Sequence, residues 1–119
     1  MLRILNTKIS LKHKPFIIAE MSGNHNQSLD RALKIVKAAS EAGADALKIQ
    51  TYNADTLTLN ISKGEFFIQD KNSPWQGKSL FELYEQAYTP WDWHKPIMDY
   101  AKKLKLLCFS SPFDDEAVD

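Results

Sequence analysis

Residues 16–50 read FIIAEMSGNHNQSLDRALKIVKAASEAGADALKIQ and contain a strand–helix–strand pattern. The apolar run Phe16–Glu20 follows a proline and has the length of a buried strand. Ser28 is a good N-cap, apolar residues recur after it at helical spacing, and Gly43 is placed to end the helix. Ala46–Gln50 has the pattern of a second strand, so the stretch has the size of a βαβ crossover.

The alternation of strand and helix continues toward the carboxyl end. Residues 51–78 show no sustained period, and such a long connection in a compact domain is usually functional or disordered. A short helix is predicted after Ser79. A second helix is predicted after Thr89, with Pro90 in its first position. Pro96 removes a backbone donor, which predicts a kink or a separate first turn there.

Two flanking segments complete the pattern. Leu106–Ser111 is predicted to form a third strand that Pro112 closes, and residues 114–116 resemble an acidic helix start. Residues 2–12 alternate apolar and polar side chains on either side of Asn6-Thr7, which predicts a short hairpin. Alternating strands and helices are typical of an α/β fold, a parallel sheet with helices outside it.

The predicted sheet is too small to stand alone. Three parallel strands leave unpaired backbone edges and an uncovered core face. The chain of 119 residues therefore indicates a piece of a larger fold, and a compact three-stranded flavodoxin-like unit is the alternative.

The charge of the chain is balanced. Fifteen basic residues match fifteen acidic ones, so no overall field attracts nucleic acid or an anionic membrane. No stretch approaches a membrane span, and the first residues are too short an apolar run for a signal peptide. The single cysteine, Cys108, excludes an internal disulfide framework and lies in an apolar run typical of a buried, inert thiol. The sequence predicts no nucleic-acid or membrane partner and a reducing, cytoplasmic location.

Polar side chains near the carboxyl ends of the predicted strands form the candidate site. Because side chains alternate across a strand, each strand can send a polar group to the same side. These residues are Glu20, Lys48, Gln50 and Ser111. The intervening residues are apolar and suit packing against helices: Ile17, Ala19, Leu47, Ile49, Leu106 and Cys108. In parallel α/β folds, ligands bind at the carboxyl ends of the strands.

Lys48 is the most informative of these residues. An unpaired buried ammonium is costly, so Lys48 should meet an anion. That anion could be the phosphate or carboxylate of a ligand, or it could be Glu20 in an internal salt bridge, and the spacing favours neither. A third interpretation is a Schiff-base lysine of the class I aldolase type.

The histidines and tryptophans give weaker signals. His25 could act as a base or a ligand, but a histidine in such a turn more often orders the loop by hydrogen bonding. His13 and His94 have no acidic or cysteine partners at a metal-binding spacing, so no metal site is predicted in this sequence. Trp91 and Trp93 are expected to pack, although the aromatic connection before them could cover a substrate.

Three stretches, in this order, resemble the sialic acid synthase family: FIIAEMSGNHN at residues 16–26, ALKIQT at residues 46–51 and FSSPF at residues 109–113. The resemblance covers nearly the whole chain after the predicted hairpin, and the ordered set is more specific than any one stretch. Residues 79–84 and 89–97 resemble the pseudaminic acid branch of the family more than the N-acetylneuraminate branch.

The resemblance implies an architecture. It is the N-terminal portion of a (β/α)8 TIM barrel, with about three βα units. Residues 1–13 would be an N-terminal β-hairpin, and residues 14–119 the first part of the barrel domain. The rest of the barrel and a C-terminal antifreeze-like domain would lie outside this sequence, and the full-length protein would be a homodimer.

The resemblance also implies a reaction. Phosphoenolpyruvate condenses with an open-chain N-acetylated amino sugar, giving a nonulosonic acid and phosphate. For the pseudaminic branch the sugar is 2,4-diacetamido-2,4,6-trideoxy-L-altrose. C3 of phosphoenolpyruvate attacks the aldehyde, water adds to the resulting oxocarbenium centre, and the tetrahedral intermediate expels phosphate with C–O cleavage. A divalent metal, Mn²⁺ or Mg²⁺, would polarise the aldehyde, with ligands outside these residues.

Site residues carry over by position. Lys48 and Ser111 match residues that bind phosphoenolpyruvate, Glu20 matches a residue that contacts the sugar, and Gln50 lies beside that pocket. No catalytic residue and no metal ligand is assigned. The alternatives are an N-acetylneuraminate or legionaminate synthase and, from another class, a non-catalytic barrel fragment that only binds anions.

Overall fold

The computed structural model describes residues 2–119. Its strands are β1 (Leu2–Ile4), β2 (Thr7–Ile9), β3 (Ile18–Glu20), β4 (Ala46–Thr51) and β5 (Leu107–Pro112). Its α-helices are α1 (Leu29–Glu41), α2 (Ala54–Leu57), α3 (Leu80–Ala87) and α4 (His94–Lys103), and short 3₁₀ turns occupy Gly64–Phe66 and Trp91–Trp93. None of the helices between residues 2 and 119 has the length and apolar character needed to cross a membrane.

The main sheet is parallel. Its strands lie side by side in chain order, β3, β4 and β5, with Glu20 opposite Lys48 and Gln50 opposite Ser111. This confirms the predicted α/β class with a parallel sheet. The outer edges of β3 and β5 have no strand partner within residues 2–119.

The hydrophobic core lies on one face of this sheet. Helices α1 and α4 cover it and contact each other. The buried residues of the core are Met21, Ala32, Val36, Leu47, Ile49, Ile97, Ala101 and Leu106, and Ala19 and Cys108 pack against them. The residues predicted to face helices therefore do so, with the exception of Ile17, which is half exposed.

The opposite face of the sheet is open. Ile18 and Phe109 are 42% and 39% exposed there, although both are large and apolar. Covering such side chains is worth about 25 cal/mol per Å² of apolar surface. This face therefore has the composition of an interior surface, and the candidate polar residues lie on it.

The predicted ends of helix α1 are confirmed. The Ser28 hydroxyl accepts a hydrogen bond from the Arg31 backbone N–H at 3.2 Å, which satisfies one of the free donors at the helix start. Gly43 follows the helix with φ +83°, a left-handed conformation that favours glycine. The strand on each side is offset from prediction: β3 begins at Ile18 rather than Phe16, and β4 extends to Thr51.

In the second half of the chain, one predicted helix start is confirmed and one is wrong. Ser79 caps α3, as predicted, and forms a capping box with Glu82. Thr89, in contrast, caps no helix, because its hydroxyl is buried against His25. The chain after it forms the separate 3₁₀ turn at Trp91–Trp93. Pro96 then occupies the first turn of α4, where a backbone N–H has no intrahelical acceptor.

The amino-terminal segment forms an antiparallel pair. β1 and β2 are joined by a turn at Leu5-Asn6, one residue earlier than predicted, and Leu5 has φ +50°. Met1, the first residue of the predicted hairpin unit, lies outside the described residues. An apolar cleft of about 390 Å³ separates this pair from the amino ends of the parallel strands, and Leu5, Phe16 and Leu107 are among its lining residues.

The long connection between β4 and α3 is ordered. It contains α2, which packs against α3, and a 3₁₀ turn. Residues 67–79 at the end of this connection form a loop that an antiparallel bridge between Phe67 and Ser79 closes. Within it, the Ile68 N–H donates to the Lys78 carbonyl at 3.0 Å. At the other end of the chain, residues 114–116 form bends and a turn rather than a helix, with the Ala117 N–H donating to Asp114 at 2.8 Å.

Candidate functional site

The structure places the four candidate polar residues together at the carboxyl ends of the parallel strands. Register puts Glu20, Lys48 and Phe109 in one row across the sheet and Gln50 with Ser111 in the next row. Side chains in a strand repeat their direction every second residue. Gln50 therefore shares the open face with Lys48, and Ser111 shares it with Phe109.

Glu20 and Lys48 form a direct ion pair. Nζ of Lys48 lies 2.8 Å from Oε1 of Glu20, and the two side chains are 26% and 54% exposed. The internal salt bridge, one of the interpretations that the sequence left open for Lys48, is therefore present. A partly exposed pair of this kind contributes little net stability, since solvent screens it and both side chains lose rotamer freedom.

The ion pair leaves capacity for a ligand. A lysine ammonium has three N–H donors, and Glu20 accepts from one of them. Gln50 and Ser111 add an amide and a hydroxyl in the neighbouring row. The arrangement can bind an anion through Lys48 and orient a polar ligand through the neutral groups.

His25 orders the turn that follows β3. It is fully buried, and its Nδ1 accepts from the Gln27 backbone N–H at 3.1 Å, so Nε2 carries the proton that is donated to the Thr89 hydroxyl at 3.0 Å. Trp93 contacts the ring edge-on, with centroids 5.4 Å apart. Burial lowers the pKa of His25. The structural interpretation of His25 is thus confirmed, because both ring nitrogens are used within the fold.

A second histidine takes part in a hydrogen-bond chain that the sequence did not predict. Nε2 of His94 and the Ser110 hydroxyl each lie 2.5 Å from the Thr51 hydroxyl, and the Ser110 hydroxyl lies 3.4 Å from the Ile49 carbonyl oxygen. His94 Nδ1 is buried without a hydrogen-bond partner in the described chain. Burial lowers the pKa of His94.

Aromatic side chains anchor the connection above the sheet. The Tyr52 ring contacts Tyr84 and Phe113 edge-on, with centroids 6.0 Å and 5.6 Å away. The Trp91 indole N–H donates to the Tyr52 carbonyl at 3.3 Å. Trp93 packs against the core, which agrees with the prediction, and Trp91 is held by this hydrogen bond.

The described residues contain neither a group of metal ligands nor a reactive thiol. Within residues 2–119 no three histidine, cysteine, aspartate or glutamate side chains come together as metal ligands. The divalent metal implied by the resemblance therefore does not fit the described residues. Burial raises the pKa of the half-buried Cys108 thiol to about 11, which keeps it protonated near neutral pH.

The chain was compared with known protein families and proteins. Residues 35–119 match the NeuB family. The pseudaminic acid synthase of Campylobacter jejuni is 55% identical over 106 residues, which cover 89% of this chain and 30% of that protein. The pseudaminic acid synthase of Helicobacter pylori is 44% identical over 105 residues, which cover 88% of this chain and 30% of that protein.

A solved structure shows the same arrangement of elements. The N-acetylneuraminic acid (sialic acid) synthetase of Leptospira borgpetersenii superposes with a TM-score of 0.75 at 25% sequence identity. The superposition covers 98% of this chain and 35% of that structure. The chain thus spans about 30% of the length of the curated relatives it matches. On the match over residues 35–119, which is most of its length, this chain belongs to the NeuB family.

Proposed function

We propose that this chain forms the first part of a (β/α)8 barrel in a nonulosonate synthase. Residues 1–13 would form the hairpin at the amino ends of the strands, and residues 14–119 the first three βα units. The open sheet face and the unpaired edges of β3 and β5 support this, because further strands would cover both. The enzyme would be cytoplasmic and homodimeric at full length.

The proposed reaction is the condensation of phosphoenolpyruvate with an open-chain N-acetylated amino sugar. C3 of phosphoenolpyruvate bonds to the aldehyde carbon, water adds at C2, and phosphate leaves with its bridging oxygen. The best candidate sugar is 2,4-diacetamido-2,4,6-trideoxy-L-altrose, the precursor of pseudaminic acid. Similarity to pseudaminic acid synthases supports this choice, while legionaminate and N-acetylneuraminate-9-phosphate synthases are similar at lower identity.

One observation carries the assignment of the site: a lysine on the open sheet face beside neutral polar groups at the carboxyl ends of the strands. Lys48 would bind the phosphate or carboxylate of phosphoenolpyruvate with its remaining donors, and the Ser111 hydroxyl would bind the same ligand. Glu20 would hold the ammonium in place and accept from a sugar hydroxyl. Gln50 lies next to that pocket and would orient the sugar.

The proposed role of these four residues is to bind and orient the substrates. Activation of the sugar aldehyde requires a further group. A divalent metal such as Mn²⁺ or Mg²⁺ would supply Lewis-acid polarisation of the aldehyde when bound. No suitable group of side chains occurs within residues 2–119. The metal ligands would therefore lie outside these residues. For this segment taken alone, the alternative is a non-catalytic fragment that only binds anions.

The test uses the complete protein and measures phosphate released from phosphoenolpyruvate with each candidate sugar. Lys48→Ala should raise the KM for phosphoenolpyruvate roughly tenfold to a hundredfold, because a charge-assisted hydrogen bond contributes about 1.5–3 kcal/mol. Lys34→Ala is the matched control, since Lys34 pairs with Asp30 on exposed helix surface. Unchanged phosphoenolpyruvate kinetics in Lys48→Ala would contradict the assigned role.

Two further measurements separate the alternatives. Turnover only with the sugar of a legionaminate or N-acetylneuraminate synthase would reassign the substrate and keep the chemistry. Borohydride trapping of a carbonyl substrate on Lys48 would show Schiff-base chemistry of the aldolase type. No phosphate release with any sugar and any divalent metal would overturn the synthase assignment.

A further inference from the structure

The hydrogen bonds between Ile49 and His94 form a chain with one direction. A carbonyl oxygen can only accept, so when the Ser110 hydroxyl donates to the Ile49 carbonyl, 3.4 Å away, it accepts from Thr51. The Thr51 proton is then used, and Thr51 must accept from His94 Nε2. All the bonds are made together only when His94 carries its proton on Nε2. The chain thus joins helix α4 to the ends of β4 and β5.

The chain lies directly behind the proposed substrate site. Thr51 follows Gln50 on β4, and Ser110 precedes Ser111 on β5. Adjacent residues of a strand point to opposite faces but share a peptide plane. Fixing Thr51 and Ser110 on the helix side therefore fixes the directions of Gln50 and Ser111 on the open side.

Polar groups at these positions are not needed for packing. The preceding helix-facing residues of the two strands, Leu47, Ile49 and Cys108, are apolar and pack in or against the core. Burying hydroxyls and an imidazole costs desolvation that apolar residues of similar shape would avoid. Such a buried polar chain specifies geometry more than it adds stability. It occurs where the strands reach the candidate site.

We propose that His94, acting through Thr51 and Ser110, is a positioning residue that holds Gln50 and Ser111 in their binding orientation. This inference rests on the proposed function of those two residues. In this proposal His94 does not contact the substrate: it lies on the helix side of the sheet, where it lines a cavity of about 480 Å³ together with Thr51 and Ser110. Its role is transmitted through the two strand ends.

The experiment measures KM and kcat for phosphoenolpyruvate in the complete protein. Thr51→Val replaces one hydroxyl with a methyl group and breaks the chain at its centre. His94→Phe keeps a ring and removes the donor. Each should raise the KM for phosphoenolpyruvate about tenfold with a smaller effect on kcat. This is the effect expected when one hydrogen bond that orients the binding residues is lost. The double variant should be no worse than either single variant, because both break the same chain.

The matched control and a rescue distinguish positioning from general stability. Met98→Ala changes an apolar residue one turn after His94 that packs against the core and lines the cavity which His94, Thr51 and Ser110 also line. It should lower the melting temperature at least as much as Thr51→Val while leaving the KM within about twofold. His94→Gln offers an amide N–H near the position of Nε2 and should recover most of the loss.

The outcomes are separable. If Thr51→Val and His94→Phe leave the KM unchanged, or if Met98→Ala raises it equally, the positioning role is wrong. If His94→Phe does not fold, Thr51→Val decides alone, since the change is one hydroxyl. If the unsubstituted protein releases no phosphate from phosphoenolpyruvate, the proposed function fails, and the positioning role fails with it because its site is gone.

Discussion

Replacement of His25 by leucine tests whether the turn after β3 depends on a buried neutral imidazole. Leucine keeps a similar volume but removes both ring nitrogens. The Gln27 N–H then loses its acceptor, and the hydroxyl of Thr89, a residue that is 1% exposed, loses its partner. Two hydrogen bonds contribute about 2 kcal/mol, and the unpaired hydroxyl with the lost edge contact to Trp93 adds about 1 kcal/mol. We expect a loss of about 3 kcal/mol.

The assay is urea unfolding of the complete protein followed by tryptophan fluorescence, because Trp93 contacts the His25 ring. His13→Leu is the control, since His13 is exposed and bonds only to Ser10 in a surface turn. That variant should remain within about 0.5 kcal/mol of the parent. Thr89→Val should cost less in the His25→Leu background than in the parent, because the partners are coupled.

The result that refutes this reasoning is specific. If His25→Leu unfolds within about 0.5 kcal/mol of the parent, its ring nitrogens do not stabilise the turn. If Thr89→Val costs the same in both backgrounds, the two residues are not coupled and the hydrogen bond between them is not formed in solution.

Two other predictions concern titratable groups. Because burial lowers the pKa of His25 and of His94, the unfolded chain takes up protons near pH 6.5 that the folded chain does not. Stability should therefore be complete above that pH and fall by up to about 1.4 kcal/mol per pH unit for each histidine below it. A flat unfolding free energy between about pH 7.5 and about pH 5.5 would contradict this, and His25→Gln should flatten the slope. For Cys108, a pKa of about 11 predicts reaction with a thiol reagent about a hundredfold slower in the folded protein than in urea near pH 8; equal rates would show that the thiol is not protected.

The element order and the two faces of the sheet were predictable because they depend on local rules. Helix periodicity with Ser28 and Gly43 at its ends placed α1, and strand alternation assigned Leu47 to the helix face and Lys48 to the other. These signals extend over a few residues, so they can be read without knowledge of the fold. The boundary errors of one or two residues at the strands reflect the same locality.

Local signals failed where a distant residue changed the outcome. Thr89 before Pro90 has the sequence of a helix cap, but the hydroxyl bonds to His25, which is 64 residues away. Residues 51–78 lack a period, yet the start of this connection is held in place because the Tyr52 ring contacts Tyr84 of α3 and Phe113, which follows β5. Tertiary contacts overrode the local preference in both places.

The sequence by itself determined which polar residues share the open face: Glu20, Lys48, Gln50 and Ser111 alternate with apolar neighbours, and alternation is a property of any strand. Only the tertiary structure decided which groups meet. It paired Glu20 with Lys48 at 2.8 Å and joined Thr51 to His94 and to Ser110, which are 43 and 59 residues away from it. Such contacts follow from strand order, register and the packing of α4 on the sheet, and no local pattern encodes these.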